Sequence, residues 1–306
     1  MECTNVRSHT VWLVVLTGLL VSAGPAAAQQ LEPRAYSPSP VGANFLGLGY
    51  AYSSGGAVTD PSVPITNIHA RVHSAVPYYG RTFGLLGRQA SVTLTTPYAW
   101  ATVSGDVQEV NRTVDRSGFG DPQFRLSVNV IGGPALTPQE FARHQQATTL
   151  GASVIVIAPF GEYDSSKLIN LGTNRWAFKP EVGLSQPLGA WNLEFYAGVW
   201  LFTENDDFFG GQVRKQDPLA SLQTHVVYTI RPRLWAAFDF TYYSGGSTTV
   251  DGAVQDDRQN NTRGGITLSV PVTVSQSVKL TWARGVSTRI GSNFDTMGVA
   301  WQLLWF

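Results

Sequence analysis

From about residue 42 to Phe306 the chain alternates apolar and polar residues over long segments. In one of them, Trp176, Phe178 and Val182 alternate with Lys179 and Glu181. Successive side chains of a β-strand point to opposite faces, so this segment predicts a strand with one apolar and one charged face. Twelve such strands can be drawn. They run to roughly 10 to 14 residues, longer than the strands of globular sheets and long enough for a tilted membrane crossing.

The connections between these strands mostly alternate in length. The long ones are 53–64, 101–118, 161–174, 203–217 and 244–262, with a shorter one at 288–295. The short ones between them are 186–190, 231–233 and 274–277. Two others on the short side are longer than this rule predicts: 79–88, interpreted as a wide turn, and 131–146. Alternation of this kind is typical of a membrane barrel, in which alternate connections face opposite compartments.

A soluble β-sandwich is the competing fold, because its strands alternate in the same way with the apolar face inward. The strand length and the even strand number favour a barrel instead. Aromatic residues near strand ends also favour it, since barrels place them at both membrane interfaces. They are Tyr50, Tyr52, Tyr78, Tyr98, Trp176, Trp191, Tyr242 and Trp305. We therefore predict an all-β protein, an antiparallel up-and-down transmembrane barrel over 42–306. It would lie in the outer membrane of a Gram-negative bacterium with both termini periplasmic.

The first 28 residues have the features of an export signal. Arg7 precedes an apolar run from Val11 to Val21, and Ala26 to Ala28 supply small residues for cleavage. Residues 29–41 then form a short N-terminal segment before the barrel. The one cysteine of the sequence, Cys3, lies in the signal, so no disulfide or thiolate metal site is expected in the mature chain.

Charge and hydropathy exclude two further classes of protein. The sequence has 21 basic and 21 acidic side chains, so it has no basic surface of the kind that binds nucleic acid. Neither the apolar run of the export signal nor any later run is long enough for a transmembrane helix.

The last strand raises a question of register. Counting back by twos from Trp305 gives an apolar face with Trp301 and Val299, whereas counting from Phe306 gives Gln302 and a poor one. Trp305 is therefore predicted to be the last lipid-facing aromatic residue. This strand is also expected to be the one that the barrel-assembly machinery recognises. On the strand before it, Arg284 interrupts the lipid face and is interpreted as lying at headgroup level.

Residues 131–146 predict a short periplasmic helix. Thr137 is placed to cap it, Pro138 to open it and Glu140 to complete a capping box. The helix could plug the barrel or act as a docking handle; alternatively it covers the lower rim.

The inward polar face supplies the candidate functional residues. They would line a polar pore with aromatic steps that guide a small solute, or only brace the barrel wall. The predicted lumen-lining residues are His69, Arg71, His73, Arg125, Lys179, Glu181, Glu194, Tyr196, Gln223, His225, Trp235 and Asp239, with Trp200 as a further aromatic step.

Metal-binding and catalytic sites are only weakly indicated. His69 and His73 are four residues apart, which on a strand separates them by about 13 Å. Loop aspartates could bind calcium, at Asp206–Asp207 and at Asp251, Asp256 and Asp257. Ser221 and His225 share a face but are too far apart for a nucleophile and its base. No cofactor, metal or catalytic residue is therefore predicted.

Several short motifs resemble a known bacterial family. The string from Ala158 to Ser185 is the longest, and the others are Gly-Phe-Gly-Asp-Pro at 118–122, Gln-Asp-Pro at 216–218, Tyr-Ser-Gly-Gly at 243–246 and Thr-Arg-Ile-Gly at 288–291. They resemble, in order, the outer-membrane "transporter" family catalogued as "putative meta-pathway phenol-degradation" proteins. Phe160 stands where that family usually has threonine. The resemblance implies an exported barrel that passes hydrophobic compounds, and it carries over no catalytic residues.

Together these observations predict an outer-membrane channel that passively admits small hydrophobic or aromatic compounds. Its partners would be the lipid and the solute. Two alternatives stay open: a structural or adhesive barrel that acts through its long loops, and an outer-membrane lipid-modifying enzyme.

Overall fold

The computed structural model describes residues 31–58, 66–107, 110–167 and 169–306. It contains eighteen strands and one helix, α1 (Pro138–Phe141). The strands are β1 (Asn44–Val58), β2 (Thr66–Leu85), β3 (Arg88–Thr95), β4 (Tyr98–Val107), β5 (Val110–Phe119), β6 (Gln123–Ile131), β7 (Thr149–Ile157), β8 (Ala177–Leu188), β9 (Trp191–Phe202), β10 (Asn205–Phe208), β11 (Gln212–Gln216), β12 (Leu219–Arg231), β13 (Leu234–Gly245), β14 (Thr248–Val250), β15 (Ala253–Val254), β16 (Gln259–Pro271), β17 (Gln276–Ser287) and β18 (Gly291–Trp305).

Twelve of these strands form a closed antiparallel barrel, as predicted. The ring runs β1, β2, β3, β6, β7, β8, β9, β12, β13, β16, β17, β18, and β1 pairs with both β2 and β18. The first and last strands meet in register from Asn44 opposite Trp305 to Val58 opposite Gly291. β4 and β5 continue β3 and β6 beyond the ring as a hairpin paired with β2.

The wall buries its polar side chains and exposes its apolar ones. On β8, Lys179 and Glu181 are 2% and 4% exposed, whereas the alternating Phe178 and Val182 are 37% and 54% exposed. A soluble sandwich would bury the apolar face, so the alternative fold is wrong. An outward apolar face of this extent is stable against lipid rather than water.

Aromatic side chains lie outward near both ends of the wall. Near the end that carries the short turns (the turn end), Trp305 lies 6.4 Å from Tyr79 between ring centroids. Trp191 and Tyr228 are 4.6 Å apart. Near the opposite end (the loop end), Trp100 contacts Tyr98 at 4.7 Å. These two belts are the interfacial girdles expected of a membrane barrel.

The wide turn predicted at 79–88 is wrong. β2 continues to Leu85, and only Leu86 and Gly87 separate it from β3. Both residues have positive φ, 50° and 76°, which is the two-residue hairpin geometry that matches strand twist. The glycine- and arginine-rich composition of the segment concealed the strand.

The predicted helix in 131–146 is present at the turn end, although α1 has only four residues. Thr137 and Glu140 form the expected capping box. The backbone N–H groups of Gln89 and Val41 donate to the carbonyls of Gly133 and Leu136, at 2.9 and 2.8 Å. The segment therefore lies along the rim and covers it. Among the described residues, no helix is long and apolar enough to cross a membrane.

The long connections contain more strand than predicted. Most of 101–118 belongs to the β4–β5 hairpin, and 203–217 and 244–262 contribute β10, β11, β14 and β15 to a separate four-stranded sheet. That sheet lies at the loop end. The connection 161–174 has no strand in its described part.

The register of the last strand is as predicted. Met297, Val299 and Trp305 are exposed, whereas Gln302 and Leu304 are buried inside the barrel.

Arg284 also faces outward, near the loop end of β17. Its Nε lies 3.6 Å from Asp295 Oδ1 on the neighbouring strand, and its side chain is 58% exposed. It lies two residues beyond the outward Trp282, towards the loop end, so its position fits the headgroup level that the sequence suggested.

Candidate functional site in the barrel interior

Residues 31–43, here called the N-terminal segment, lie inside the barrel. Glu32, Tyr36 and Ser39 are 2%, 1% and 0% exposed, although they belong to no strand. From the sequence, residues 29–41 are predicted only as a short N-terminal segment before the barrel, and a plug is considered only for 131–146, beside a rim cover. The interior is therefore filled by the N-terminal segment, while 131–146 stays at the rim.

Charged residues hold the middle of the N-terminal segment. The Arg125 guanidinium bonds Glu32 of the segment and lies 3.3 Å from Glu181 of the wall. Lys179 Nζ bonds the second oxygen of Glu181 at 2.8 Å. The four buried charges thus alternate in sign, as buried charges must if their desolvation is to be offset.

Arg34 attaches the segment to the other side of the wall. Its backbone N–H donates to Glu194 Oε2 at 2.6 Å, and its guanidinium lies 5.4 Å from the Trp235 ring centroid. Tyr196 also donates to Glu194 Oε2, at 2.6 Å, and accepts from the backbone N–H of Ala35 at 3.1 Å.

Tyr36 packs flat against a pair of opposed wall glycines. Gly151 and Gly183 face each other across β7 and β8. A Cβ at either position would come within 2.1 to 2.2 Å of the Tyr36 ring. The hydroxyl bonds Ser153 at 2.8 Å and donates to Glu181 Oε1 at 3.0 Å. Burial raises the pKa of this hydroxyl, against the lowering effect of the Arg125 charge, so it remains a donor.

The end of the segment is fixed where it enters β1. Thr82 Oγ1 donates to the Pro40 carbonyl at 2.6 Å, and the N–H of Gly42 donates to the Thr82 carbonyl at 3.0 Å. Val41 bonds the rim segment as described above. The N-terminal segment is therefore attached in its middle and at its exit from the lumen.

A second buried polar group lies on β12, β13 and β16. His225 Nδ1 is 2.7 Å from Asp239 Oδ1, and Thr267 Oγ1 donates to Asp239 Oδ2 at 2.7 Å. His225 Nε2 has no hydrogen-bond partner among the described residues. In this arrangement Asp239 orients the His225 ring through Nδ1, and Nε2 is hydrogen-bonded to no serine or threonine hydroxyl of the described residues.

The structure places nine of the twelve predicted lumen-lining residues inside the barrel. These are Arg125, Lys179, Glu181, Glu194, Tyr196, Gln223, His225, Trp235 and Asp239, each at most 5% exposed, and the further aromatic step, Trp200, is 1% exposed. Each of these residues contacts the N-terminal segment or another residue of the set. Trp235, for example, packs against Arg34 of the segment, and Asp239 bonds His225. Their part in the passage of a solute remains a prediction.

The other three predicted lumen residues, His69, Arg71 and His73, are wrong, because they lie on the outer, exposed face of β2. His73 Nδ1 is 2.6 Å from the hydroxyl of the outward Tyr50. The inward positions of this part of β2 are instead apolar.

Apolar side chains line the lumen towards the loop end. One cluster combines residues of five wall strands, and we call it the apolar vestibule: Ile155, Ile157, Ala177, Trp200, Leu219 and Tyr243, with Phe202 packed against them. A second cluster lies on the opposite side: Ala70, Ala101 and Val103, with Ile68, Val72, Val114, Ile169 and Phe294. Of these residues only Trp200 is predicted from the sequence as a lumen residue, because the prediction assigns mainly polar side chains to the lumen.

The connection 158–174 covers the edge of β5, which among the described strands pairs only with β4. Asp121 holds this connection: its two carboxylate oxygens accept from the N–H of Gly161 at 2.9 Å and the N–H of Thr173 at 2.8 Å. The N–H of Glu162 donates to the Phe119 carbonyl at 2.8 Å. Backbone and side-chain bonds thus close the wall where strand pairing stops.

A cavity of about 70 Å³ lies between the N-terminal segment and the wall towards the turn end. On the segment side it is lined by Ala35 and Ser37. On the wall side β3 and β6 contribute most of its polar groups, namely Gln89, Ser91, Thr93, Arg125, Ser127 and Asn129.

Two of the five aspartates considered as calcium ligands have other partners. Asp256 bonds Arg289 at 2.6 Å, and Asp257 accepts from Thr248. In the part of the chain that the structure describes, no three His, Cys, Asp or Glu residues are grouped to hold a metal ion.

The sequence matches a known family, and the fold resembles that of solved outer-membrane proteins. A family model described as "Putative MetA-pathway of phenol degradation" matches residues 51–302. The fold is similar to that of an outer membrane channel from Pseudomonas putida F1, with 22% identity, a TM-score of 0.78, and coverage of 90% of this chain and 100% of that one. It is less similar to the β domain of the Bordetella autotransporter BrkA, with 9% identity, a TM-score of 0.51, and coverage of 87% and 100%. No curated protein sequence matches the chain.

Proposed function

The chain belongs to the family described as "Putative MetA-pathway of phenol degradation", and we propose that it is an outer-membrane channel that passively admits small aromatic compounds such as phenols. The observation that carries this proposal is the apolar vestibule inside a barrel whose outer wall is built for lipid. Buried apolar side chains in a lumen attract an aromatic ring, whereas a pore for sugars or ions needs none. The fold similarity to an outer membrane channel is consistent with this function.

The different connections at the two ends of the barrel support an orientation in the membrane. Short turns face the periplasm and long connections face outside in barrels of this class. The turn end would therefore be periplasmic, which puts both Asn44 and Trp305 there. A solute would enter through the vestibule and leave past the N-terminal segment. The barrel-assembly machinery would recognise β18, with Trp305 as the outward aromatic residue.

Uptake by intact cells tests this function. Cells that lack general porins would express the protein or an empty vector, and accumulation of radiolabelled phenol would be measured at limiting concentration. We expect faster accumulation with the protein, and Trp200→Ser, which removes the largest vestibule side chain, should reduce it. The control is Trp176→Ser, an outward aromatic residue at the same end of the barrel. Equal uptake with and without the protein would contradict the proposal.

The same cells address the adhesive alternative, for which the four-stranded sheet at the loop end is the relevant observation. An adhesive barrel would lose cell attachment when β10–β11 or β14–β15 is shortened, and its phenol uptake would equal that of the vector. A lipid-modifying enzyme would need a nucleophile within hydrogen-bond reach of a base. Ester hydrolysis by the protein that is lost on substitution of one histidine would favour that alternative.

A further inference from the structure

We infer that the cavity between the N-terminal segment and the wall, called the crevice below, is the solute's exit to the turn end. Its lining side chains move apart to admit hydroxyl-bearing small molecules while the backbone of the segment stays in place. The inference rests on the proposed function, because it concerns the route and the kind of solute within that channel.

The N-terminal segment is built as part of the wall and not as a loosely held stopper. The Tyr36 ring lies so close to Gly151 and Gly183 that neither position has room for a Cβ. Glu32 is paired with Arg125 at 2% exposure, and withdrawal of the segment would leave Arg125 and Glu194 without these partners. Breaking buried ion pairs by removing one partner is strongly unfavourable. A path beside the segment avoids this cost.

The crevice runs along the wall in the direction of transport. Its polar wall residues form three successive inward rows of β3 and β6. Thr93 lies opposite Arg125 and Ser91 opposite Ser127, and in the lowest row the Asn129 amide donates to Gln89 Oε1 at 2.6 Å. Three rows cover about 13 Å at the usual rise of a strand. The lowest row adjoins the rim, where the N–H of Gln89 bonds the Gly133 carbonyl.

The upper end of the crevice meets the apolar vestibule. Arg125 lines the crevice, and its register partner on β7 is Ile155, a fully buried member of the vestibule. The two compartments are therefore adjacent. A solute that leaves the vestibule at this point passes from an apolar surface to one that combines hydroxyl, amide and guanidinium groups with the apolar Phe45 and Val92.

This sequence of surfaces selects for molecules with two kinds of surface. An aromatic ring is favourable in the vestibule, and a hydroxyl group can exchange hydrogen bonds along the crevice. A ring without a polar group leaves the polar groups of the crevice unpaired as it passes, which costs free energy at each row. Phenols satisfy both requirements, whereas toluene, of similar size, satisfies only the first.

A disulfide that fixes the N-terminal segment tests the route. Tyr36 Cγ lies 2.9 Å from the position that a Cβ at residue 151 would take, so Tyr36→Cys with Gly151→Cys is suited to a disulfide. Tyr36→Cys with Gly183→Cys is the second pair. The only native cysteine is Cys3, which simplifies the chemistry. Thiol counting verifies the bond, and the pair that forms is used.

We expect phenol uptake by the oxidised variant to lie within about twofold of that by the same variant after reduction. Ser127→Leu, which fills the crevice, should reduce phenol uptake about tenfold or more. Ser127→Ala, which keeps the space but removes the hydroxyl, should instead lower the preference for phenol over toluene. Ser269→Leu is the matched control, because Ser269 is an inward, buried serine that does not line the crevice. Heat-modifiable migration in gels confirms that each variant is folded.

Two results would overturn the inference. Loss of uptake in the oxidised variant with recovery on reduction would mean that the segment must move. Unchanged uptake in a folded Ser127→Leu variant would mean that the solute leaves elsewhere. Failure of the proposed function is different, since the unmodified protein would then give no more uptake than the vector.

Discussion

Gly183→Ala should loosen the N-terminal segment without any change to its own sequence. The new Cβ would lie 2.2 Å from the Tyr36 ring and 2.8 Å from the Tyr196 ring, so Tyr36 must move. It would lose its hydrogen bonds to Ser153 and to the Glu181 carboxylate. At about 0.5–1 kcal/mol for a neutral bond and roughly 1.5–3 kcal/mol for a charged one, the loss is on the order of 2–4 kcal/mol.

That loss corresponds to a roughly 30- to 700-fold increase in the undocked fraction of the segment, at 1.4 kcal/mol for each factor of ten. A reporter cysteine at Ser37, which is 5% exposed, would measure it through the rate of reaction with a maleimide. Ser37→Cys in the otherwise unchanged chain gives the reference rate, and the rate should rise by a comparable factor in the Gly183→Ala background.

Gly49→Ala is the matched control. Gly49 also faces the lumen from a wall strand, but a Cβ there would meet only ordinary contacts, the nearest at 3.7 Å. Its labelling rate should equal the reference. If Gly183→Ala labels no faster than Gly49→Ala, the flat packing of Tyr36 does not hold the segment, and the reasoning is wrong.

Three further changes test other parts of the structure. Arg125→Met leaves two buried carboxylates without their guanidinium, and it should lower the free energy of unfolding by about 3–5 kcal/mol, measured in urea with folding followed by gel migration. Asp121→Asn removes the charge that holds the N–H groups of Gly161 and Thr173. Tryptic cleavage within the 158–174 connection should therefore become several-fold faster in intact cells. Trp305→Ala should reduce the fraction of heat-modifiable, assembled protein more than Phe306→Ala, because Trp305 faces outward within β18 whereas Phe306 lies beyond the strand's end.

Each of these three substitutions is compared with a second substitution that should have a smaller effect. Arg284→Met breaks an exposed ion pair with Asp295 and should change stability by less than about 1 kcal/mol. A similar loss for both arginines would show that burial is not the cause. Asp206→Asn, which changes an exposed aspartate of β10, should leave cleavage unchanged. Equal assembly of the Trp305 and Phe306 variants would contradict the prediction that the outward Trp305 is the aromatic residue that assembly requires.

The barrel could be predicted because lipid imposes a strict requirement on one face of each strand. In β8, every outward residue from Phe178 to Leu184 is apolar and the inward charges of Lys179 and Glu181 fall between them. In β18, the same requirement placed Trp305 rather than Phe306 on the lipid face. The turn at Leu86–Gly87 was not predicted, because its flanking strand residues have the composition of a loop.

The N-terminal segment could not be predicted from strand periodicity, because it has none. Pro33, Pro38 and Pro40 interrupt any ladder that it could form. A signal for it was nevertheless present in the wall. Gly151 and Gly183 occupy inward positions on adjacent strands, where side chains would otherwise fill the lumen. Opposed inward glycines indicate that something from outside the strands packs there.

The errors at His69, Arg71 and His73 have a different cause, which also bears on function. Assigning polar residues to the lumen is valid only where the lumen is polar. Beyond the membrane boundary the outer face meets headgroups and water, so polar residues such as Arg71 are stable there. The inner face of the same strand contributes Ala70 and Val72 to an apolar cluster. Reversal of polarity within one strand therefore marks the height at which the interior changes from polar to apolar, and a lumen that changes in this way is suited to a solute with one apolar and one polar end.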